Sequence, residues 1–239
     1  MGLLALLLPG MIGCRDKPKP VATSTPALSP IEIADQAAEA MLAVESLHFV
    51  IERGGALAYI DADELLAFKR AEGDFAHPDR LRAIVRIVTA FTPVEIGMVV
   101  LGGEQFATNP ITGQWEPLPP EWGEFNLTVL FDPEIGIRGL LRKGILELAF
   151  VGTDEREGQS HYHLAGRANG ERVSDMTLGF IGGGSDVDLD VWVGAQDYFV
   201  RRMTIVEIDS DVDDPTTWDM VFSNLDQPVE ITAPPAATP

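Results

Sequence analysis

Apolar and polar residues alternate most regularly between Asp186 and Ile208. The first half of this stretch reads DVDLDVWVG, with apolar residues at every second position: Val187, Leu189, Val191 and Val193. Because side chains of a strand point alternately to opposite faces, these four share a buried face, and the aspartates and Trp192 share the other, solvated one. A turn over Ala195–Asp197 leads into a second stretch, YFVRRMTIVEI, in which Arg201 and Arg202 place a charge in both registers. The pattern predicts a hairpin in an antiparallel sheet with one solvated face.

The same period of two recurs along the chain and predicts eight to ten antiparallel strands. Besides the hairpin, these strands cover Leu47–Gly55, Arg80–Ile87, Val94–Val100, Gln105–Thr108, Gln114–Pro117, Leu146–Phe150, Tyr162–Gly166 and Trp218–Phe222. A sheet with so many strands should curl strongly.

Two helices are predicted between these strands. Ser29 followed by Pro30 and Glu32 has the residues of a capping box, and apolar residues at helical spacing extend the helix from about Pro30 to Ser46. Asp132 and Pro133 resemble a second helix start, and that helix would cover Ile135–Lys143, before Gly144. The predicted fold class is α+β, with the helices packed in the concave side of the sheet.

The apolar face of the sheet must be covered by the helices alone or by the helices together with a bound molecule. Alternation cannot distinguish a filled core from a cavity, so both interpretations stay open at this point. The inward positions that would line such a cavity are Val85, Ile87, Met98, Val100, Leu148, Phe150, Leu189 and Val191.

The beginning of the chain has the features of an export signal. Leu3–Leu8 is a run of apolar residues too short to cross a bilayer, whose apolar core needs about twenty residues. Ile12-Gly13-Cys14 is similar to a bacterial lipobox, in which the cysteine carries the lipid anchor; a buried free cysteine is the alternative. We expect an export signal in residues 1–13, a flexible Pro/Ser/Thr-rich tether in 14–29, the folded domain in 30–234 and a disordered tail in 235–239.

Composition excludes several other classes of protein. Of the 239 residues 46% are hydrophobic, enough for a sizeable core, and the formal net charge of −20 argues against binding to nucleic acid. Cys14 is the single cysteine, which excludes an intrachain disulfide framework.

No set of residues has the pattern of a catalytic centre. His161 and His163 share a strand face as metal ligands would, but two ligands do not make a zinc site, and a solvent-exposed pair is the better interpretation. The acidic segment Asp209–Asp214 lacks the central glycine of a calcium loop and is interpreted as a solvated turn. We therefore expect neither an enzyme nor a cofactor.

Several phrases together resemble the LppX/LprA/LprF/LprG family of bacterial lipoproteins. These phrases are AEAMLAVESLHFVIE, the Leu130-Phe131-Asp132-Pro133 segment, SHYHLAGRANGERV, LDVWVGAQDYFVRRMTI and WDMVFSNLDQPVEITAP. The likeness covers roughly Ile31 to Pro234.

The resemblance implies a half-barrel similar to the LolA/LolB lipoprotein carriers, in which a strongly curved antiparallel sheet wraps around helices. It also implies an apolar cavity for the acyl chains of a lipid or glycolipid, and an anchor that maps to Cys14. The expected protein is a monomeric lipid carrier on the outer leaflet of the bacterial cytoplasmic membrane. The alternative is a lipoprotein sensor or scaffold that binds a protein or lipopeptide partner.

Overall fold

The computed structural model describes residues 27–59, 63–89, 92–118, 126–156, 158–181 and 183–235. The predicted export signal, all but the last three residues of the predicted tether, and the last four residues of the chain lie outside these ranges.

One large antiparallel sheet dominates the fold. Among the described residues its eleven strands lie in the order β6-β5-β4-β3-β2-β1-β11-β10-β9-β8-β7, so that the sheet is open between β6 and β7. The strands are β1 (Ser46–Gly54), β2 (Leu66–Ala76), β3 (Arg80–Thr89), β4 (Pro93–Leu101), β5 (Glu104–Thr108), β6 (Trp115–Pro117), β7 (Ile145–Arg156), β8 (Gln159–Ala168), β9 (Val187–Gly194), β10 (Val200–Glu207) and β11 (Thr216–Ser223). The predicted fold class, an α+β half-barrel around a few helices, is confirmed.

The inner face of the sheet carries the core. In β9 the four apolar residues of the predicted buried face are at most 1% exposed, and those of β3 and β11 alternate in the same way. The opposite face carries ion pairs such as Arg86–Glu95 and Arg202–Asp219. A register shift between Val200 and Arg202 explains why the arginines of β10 occupy both registers.

Trp192 departs from the prediction of a solvated outer face on β9, because it is only 8% exposed. The ring of His163 stacks on it with centroids 4.3 Å apart, and the guanidinium of Arg202 lies 4.8 Å from its centroid. Its indole N–H donates to Asp154 over 2.9 Å. Neighbouring polar side chains therefore cover this residue, a tertiary effect that alternation does not report.

The helices lie against the inner face. Helix α1 (Pro30–Leu42) begins with the predicted capping box between Ser29 and Glu32, and its buried residues are Ile33, Ala34, Ala37 and Ala38. It ends four residues before the predicted Ser46, because Ser46 already begins β1. The narrow alanine-rich stripe lets α1 approach α2 (Ile137–Lys143) closely.

The second helix begins later than predicted. The Oδ1 atom of Asp132 accepts the N–H groups of Glu134 and Ile135, at 2.8 and 3.0 Å, and so caps a turn rather than α2. Helix α2 follows Gly136 and ends at the predicted Gly144. Three elements were not predicted: β2, helix α3 (Gly170–Met176) and a 3₁₀ helix (Leu127–Phe131).

Candidate functional site

A first apolar cavity lies between the 3₁₀ helix, the end of α3 and the middle strands of the sheet. Its volume is about 40 Å³. It is lined by Ile51, Phe68, Asn126, Leu127, Val129, Leu130, Met176, Thr177, Leu178, Phe180, Ile181, Trp218 and Met220. The side chain of Asn126 accepts hydrogen bonds from Thr128, and the hydroxyl of Thr177 donates to the carbonyl of Val173. The first cavity therefore presents hydrocarbon rather than free polar groups.

A second cavity, of about 30 Å³, lies towards the opposite end of β1 and β2. Its lining consists of Met41, Leu42, Val44, Leu47, Phe75, His77, Leu130, Phe131, Pro133, Ile137 and Arg138. It differs from the first cavity because a charged side chain, that of Arg138, forms part of its wall.

The 3₁₀ helix separates the two cavities, and Leu130 lines both of them. The next residue, Phe131, holds the 3₁₀ helix against the sheet: its ring stacks on that of Phe75, with centroids 4.2 Å apart, and lies 6.0 Å from Phe49 and 6.3 Å from Phe222. The 3₁₀ helix therefore fills the middle of a path along the inner face of β1 and β2.

Neither cavity accommodates an acyl chain as it stands. Sites for small molecules usually enclose roughly 300–1,000 Å³, far more than the 40 and 30 Å³ of these two spaces. Neither of these two spaces would hold a lipid unless the helical layer moved away from the sheet.

The eight residues predicted to line a cavity all face the interior of the half-barrel. Val85, Ile87, Met98, Val100, Leu189 and Val191 are buried in the core, and Leu148 and Phe150 are partly buried against it. None of the eight lines either of the two cavities. Their role in contacting a ligand stays a prediction.

Some lining residues on the helical side were not predicted from the sequence, because they lie in the 3₁₀ helix and at the end of α3. The second cavity is also lined by residues of α1 and α2, which were predicted as helices but not as part of a cavity. The apolar stretch LTVLF, between a proline-rich segment and Asp132-Pro133, was the available signal. Five residues are too few to show a helical period.

An ion-pair cluster joins α1 and α2 beside the second cavity. Glu39 on α1 hydrogen-bonds Arg142 and lies 3.6 Å from Arg138, while Glu134 accepts from Lys143 at 2.7 Å and from Arg138 at 3.4 Å. The hydrogen bond and charge of Lys143 lower the pKa of Glu134, with a smaller contribution from Arg138.

The histidines of β8 are not the exposed pair that was expected. His161 is only 4% exposed and its Nδ1 has no hydrogen-bond partner among the described residues, whereas Nε2 of His163 lies 2.6 Å from the carboxylate of Asp190. No group of three potential metal ligands converges within the described ranges. The segment Asp209–Asp214 is an exposed turn as predicted, in which backbone N–H groups of Asp213 and Asp214 donate to Asp211 and lower its pKa.

Within the same ranges, no helix has the length and apolar character needed to cross a membrane.

By its fold the protein is an open antiparallel half-barrel filled by helices. Comparison with known proteins then identifies its family. A family model described as LppX_LprAFG lipoprotein matches residues 29–231, so the chain belongs to this family of lipoproteins. The suggested resemblance is thereby confirmed. No match was found among curated proteins.

Two solved structures show the same fold. LprF from Mycobacterium bovis has a TM-score of 0.67 at 17% identity, over 87% of this chain and 99% of that one. Lipoprotein LppX from Mycobacterium tuberculosis has a TM-score of 0.60 at 17% identity, over 84% of this chain and 97% of that one.

Proposed function

We propose that this protein binds the acyl chains of a lipid or glycolipid between its sheet and its helical layer, and carries the lipid through the extracytoplasmic space. The observation that carries the proposal is the position of Leu130, on the 3₁₀ helix between two cavities that are lined mostly by apolar residues along one face of the sheet. Membership of a lipoprotein family supports it. Displacement of the 3₁₀ helix would merge the two cavities into one elongated apolar space.

The physical benefit of such a space is large. Transfer of an acyl chain from a bilayer into water costs ~0.8 kcal/mol per methylene, on the order of 25 kcal/mol for two sixteen-carbon chains. An apolar interior removes most of that barrier by replacing water with side chains. Binding of this kind requires no nucleophile or metal, so we propose a binding protein rather than an enzyme.

Movement of the helical layer would be an energetic cost of binding. When the 3₁₀ helix lies against the sheet, Leu130 is buried and Phe131 is placed among three other phenylalanine rings. A bound acyl chain would replace these contacts with contacts of the same apolar kind. The protein would therefore exchange one apolar filling for another, and the free protein would not expose an open apolar cavity to water.

We further propose that the chain is held at the outer leaflet of the cytoplasmic membrane by a lipid on Cys14. The lipobox-like residues before Cys14 and the family membership support this anchor. A Cys14→Ser variant should move from the membrane fraction to the soluble fraction, whereas Ser24→Ala in the tether should not. Retention of the Cys14→Ser variant in the membrane fraction would contradict the anchor.

Purification from the native host followed by solvent extraction tests the function directly. We expect mass spectrometry of the extract to detect a lipid in a defined ratio to protein. Recovery of a stable protein partner without any lipid would instead support a sensor or scaffold.

A further inference from the structure

Resting on the proposed lipid-binding function, we infer that the second cavity is the head-group end of the site, and that Arg138 binds the phosphate of an anionic lipid there. The first cavity would then receive the distal part of the acyl chains. Three features of Arg138 carry this inference: its place in the cavity wall, its free guanidinium edge and the charges around it.

One edge of the Arg138 guanidinium is already used by the protein. Its Nη1 donates to the carbonyl of Pro133 at 2.7 Å and to Glu134 at 3.4 Å. This edge fixes the side chain against the turn that leads into α2.

The other edge, formed by Nε and Nη2, has no hydrogen bond within the described residues. Nε is buried without a partner, and Nη2 lies 3.6 Å from Glu39, beyond hydrogen-bond distance. Two parallel N–H groups on one guanidinium edge match two oxygens of a phosphate in a bidentate contact. An edge without a hydrogen bond, on a side chain that lines the second cavity, is therefore suited to a phosphate group once movement of the helical layer exposes Nε; Nη2 would then exchange its ion pair with Glu39 for the phosphate.

Arg138 is unusual among the buried polar groups of the protein. Three other buried side-chain atoms lack a partner in the described ranges, on Gln105, His161 and Arg201. None of these three residues lines either of the two cavities. Of the four residues, only Arg138 lines one of the two cavities.

The two carboxylates of the cluster pair with Arg138 only at longer distances, 3.6 Å for Glu39 and 3.4 Å for Glu134. Glu39 has a closer partner in Arg142, and Glu134 has a closer partner in Lys143. Three cations thus share two carboxylates. A partly buried charge without full compensation is costly, and a bound anion would offset that cost.

The first cavity offers no comparable group. The polar side chains in its wall, Asn126 and Thr177, are both hydrogen-bonded within the protein. The contrast between the two cavities assigns a direction to the lipid, with its phosphate at Arg138 and its chains extending past Leu130.

The test measures binding of three probes to the delipidated full chain by isothermal titration calorimetry. The probes are dioctanoyl phosphatidylglycerol, dioctanoylglycerol, which has the same chains without phosphate, and inorganic phosphate. We expect wild type to prefer phosphatidylglycerol, and Arg138→Gln to weaken that binding about tenfold, as loss of a charge-assisted bidentate contact implies. Binding of dioctanoylglycerol should not change.

Arg167→Gln is the control, because Arg167 is a surface arginine on β8 that pairs with Asp186, lies outside the cluster of Glu39 and Glu134 and lines neither cavity. It should leave both affinities unchanged. Arg138→Lys keeps the charge but lacks the planar edge and should give a partial loss. If thermal melting shows that Arg138→Gln does not fold, Arg138→Lys decides the test.

An equal effect of Arg138→Gln and Arg167→Gln, no effect of either, or equal affinity of wild type for the two lipids would overturn the head-group assignment alone. Inorganic phosphate that binds as tightly as phosphatidylglycerol would show a site for a free anion and overturn it too. Failure of wild type to bind either lipid would overturn the proposed function itself.

Discussion

The rings of Phe131 and Phe75 stack with centroids 4.2 Å apart and planes 28° from parallel. This contact joins the 3₁₀ helix to β2 in the wall of the second cavity. If the 3₁₀ helix moves to admit an acyl chain, as proposed, the strength of this contact should affect how readily the protein binds lipid.

We predict that Phe131→Ala lowers the free energy of unfolding by about 2–3 kcal/mol, since a half-buried aromatic side chain loses its contacts. It should also increase the rate of uptake of a fluorescent fatty acid, because the 3₁₀ helix is held less firmly. Urea unfolding and stopped-flow fluorescence measure the two effects.

Phe199→Ala provides the matched control. Phe199 is also a half-buried phenylalanine, but it lies in the turn between β9 and β10 and contacts neither cavity. The Phe199→Ala variant should have a lower free energy of unfolding, but it should take up the fluorescent fatty acid no faster than wild type. Equal uptake by both variants would mean that the ring of Phe131 does not limit opening.

Leu130 allows the opposite test, in which the path is blocked. In Leu130→Trp the larger side chain should extend into the adjoining cavities. The added bulk should lower the free energy of unfolding by about 1–3 kcal/mol. We expect lipid recovered per protein after expression in the native host to fall severalfold. Leu130→Met, which conserves volume, should retain the wild-type amount; normal occupancy in the tryptophan variant would show that lipid binds elsewhere.

The sequence predicted much of the sheet because half-buried strands repeat apolar residues with a period of two. Strand β9 follows that rule along its inner face. Strand β2 was missed, since a register shift between Phe68 and Arg70 interrupts its alternation and Gly73 lies at its centre. Helix α3 was missed because seven residues with only Val173 and Met176 as large buried side chains show no helical stripe.

The candidate site was much harder to predict than the sheet. Alternation identifies which residues face inward, but it does not show what covers them. Leu130 lines both cavities only because the 3₁₀ helix enters the half-barrel. Arg138 keeps one edge without a hydrogen bond because Pro133 and Glu134 bind Nη1 and Glu39 stays 3.6 Å from Nη2. Both are consequences of tertiary placement.

Two of the residues predicted to line the cavity can be tested without disturbing the tightly packed core. Leu148 and Phe150 are partly buried on the inner side of edge strand β7, so that a tryptophan can be accommodated at either position. If the open interior extends to β7, Leu148→Trp combined with Phe150→Trp should lower lipid occupancy while the melting temperature changes little. Val151→Trp is the control, because Val151 is on the same strand but 56% exposed; an equal decrease in this control would exclude a specific role for the inner face of β7.

The stability of the sheet should also depend on acidic pH through Asp74. Burial alone would raise the pKa of Asp74, but hydrogen bonds from His48 and Arg82, at 2.9 and 3.0 Å, outweigh that effect and lower it. A carboxylate with a lowered folded-state pKa contributes stability above its unfolded pKa of ~3.9, and that contribution is lost as the pH falls through the folded-state pKa.

We therefore predict that Asp74→Asn lowers the free energy of unfolding by about 1 kcal/mol at pH 7 and has a smaller effect near pH 3. Urea unfolding at both pH values measures the difference. Glu95→Gln is the control, because Glu95 is a more exposed carboxylate on the same face of the sheet and pairs with Arg86 through a surface ion pair. A difference between Asp74→Asn and wild type that is the same at both pH values would show that the variant acts through packing, because only the ionised carboxylate can lose its contribution on protonation.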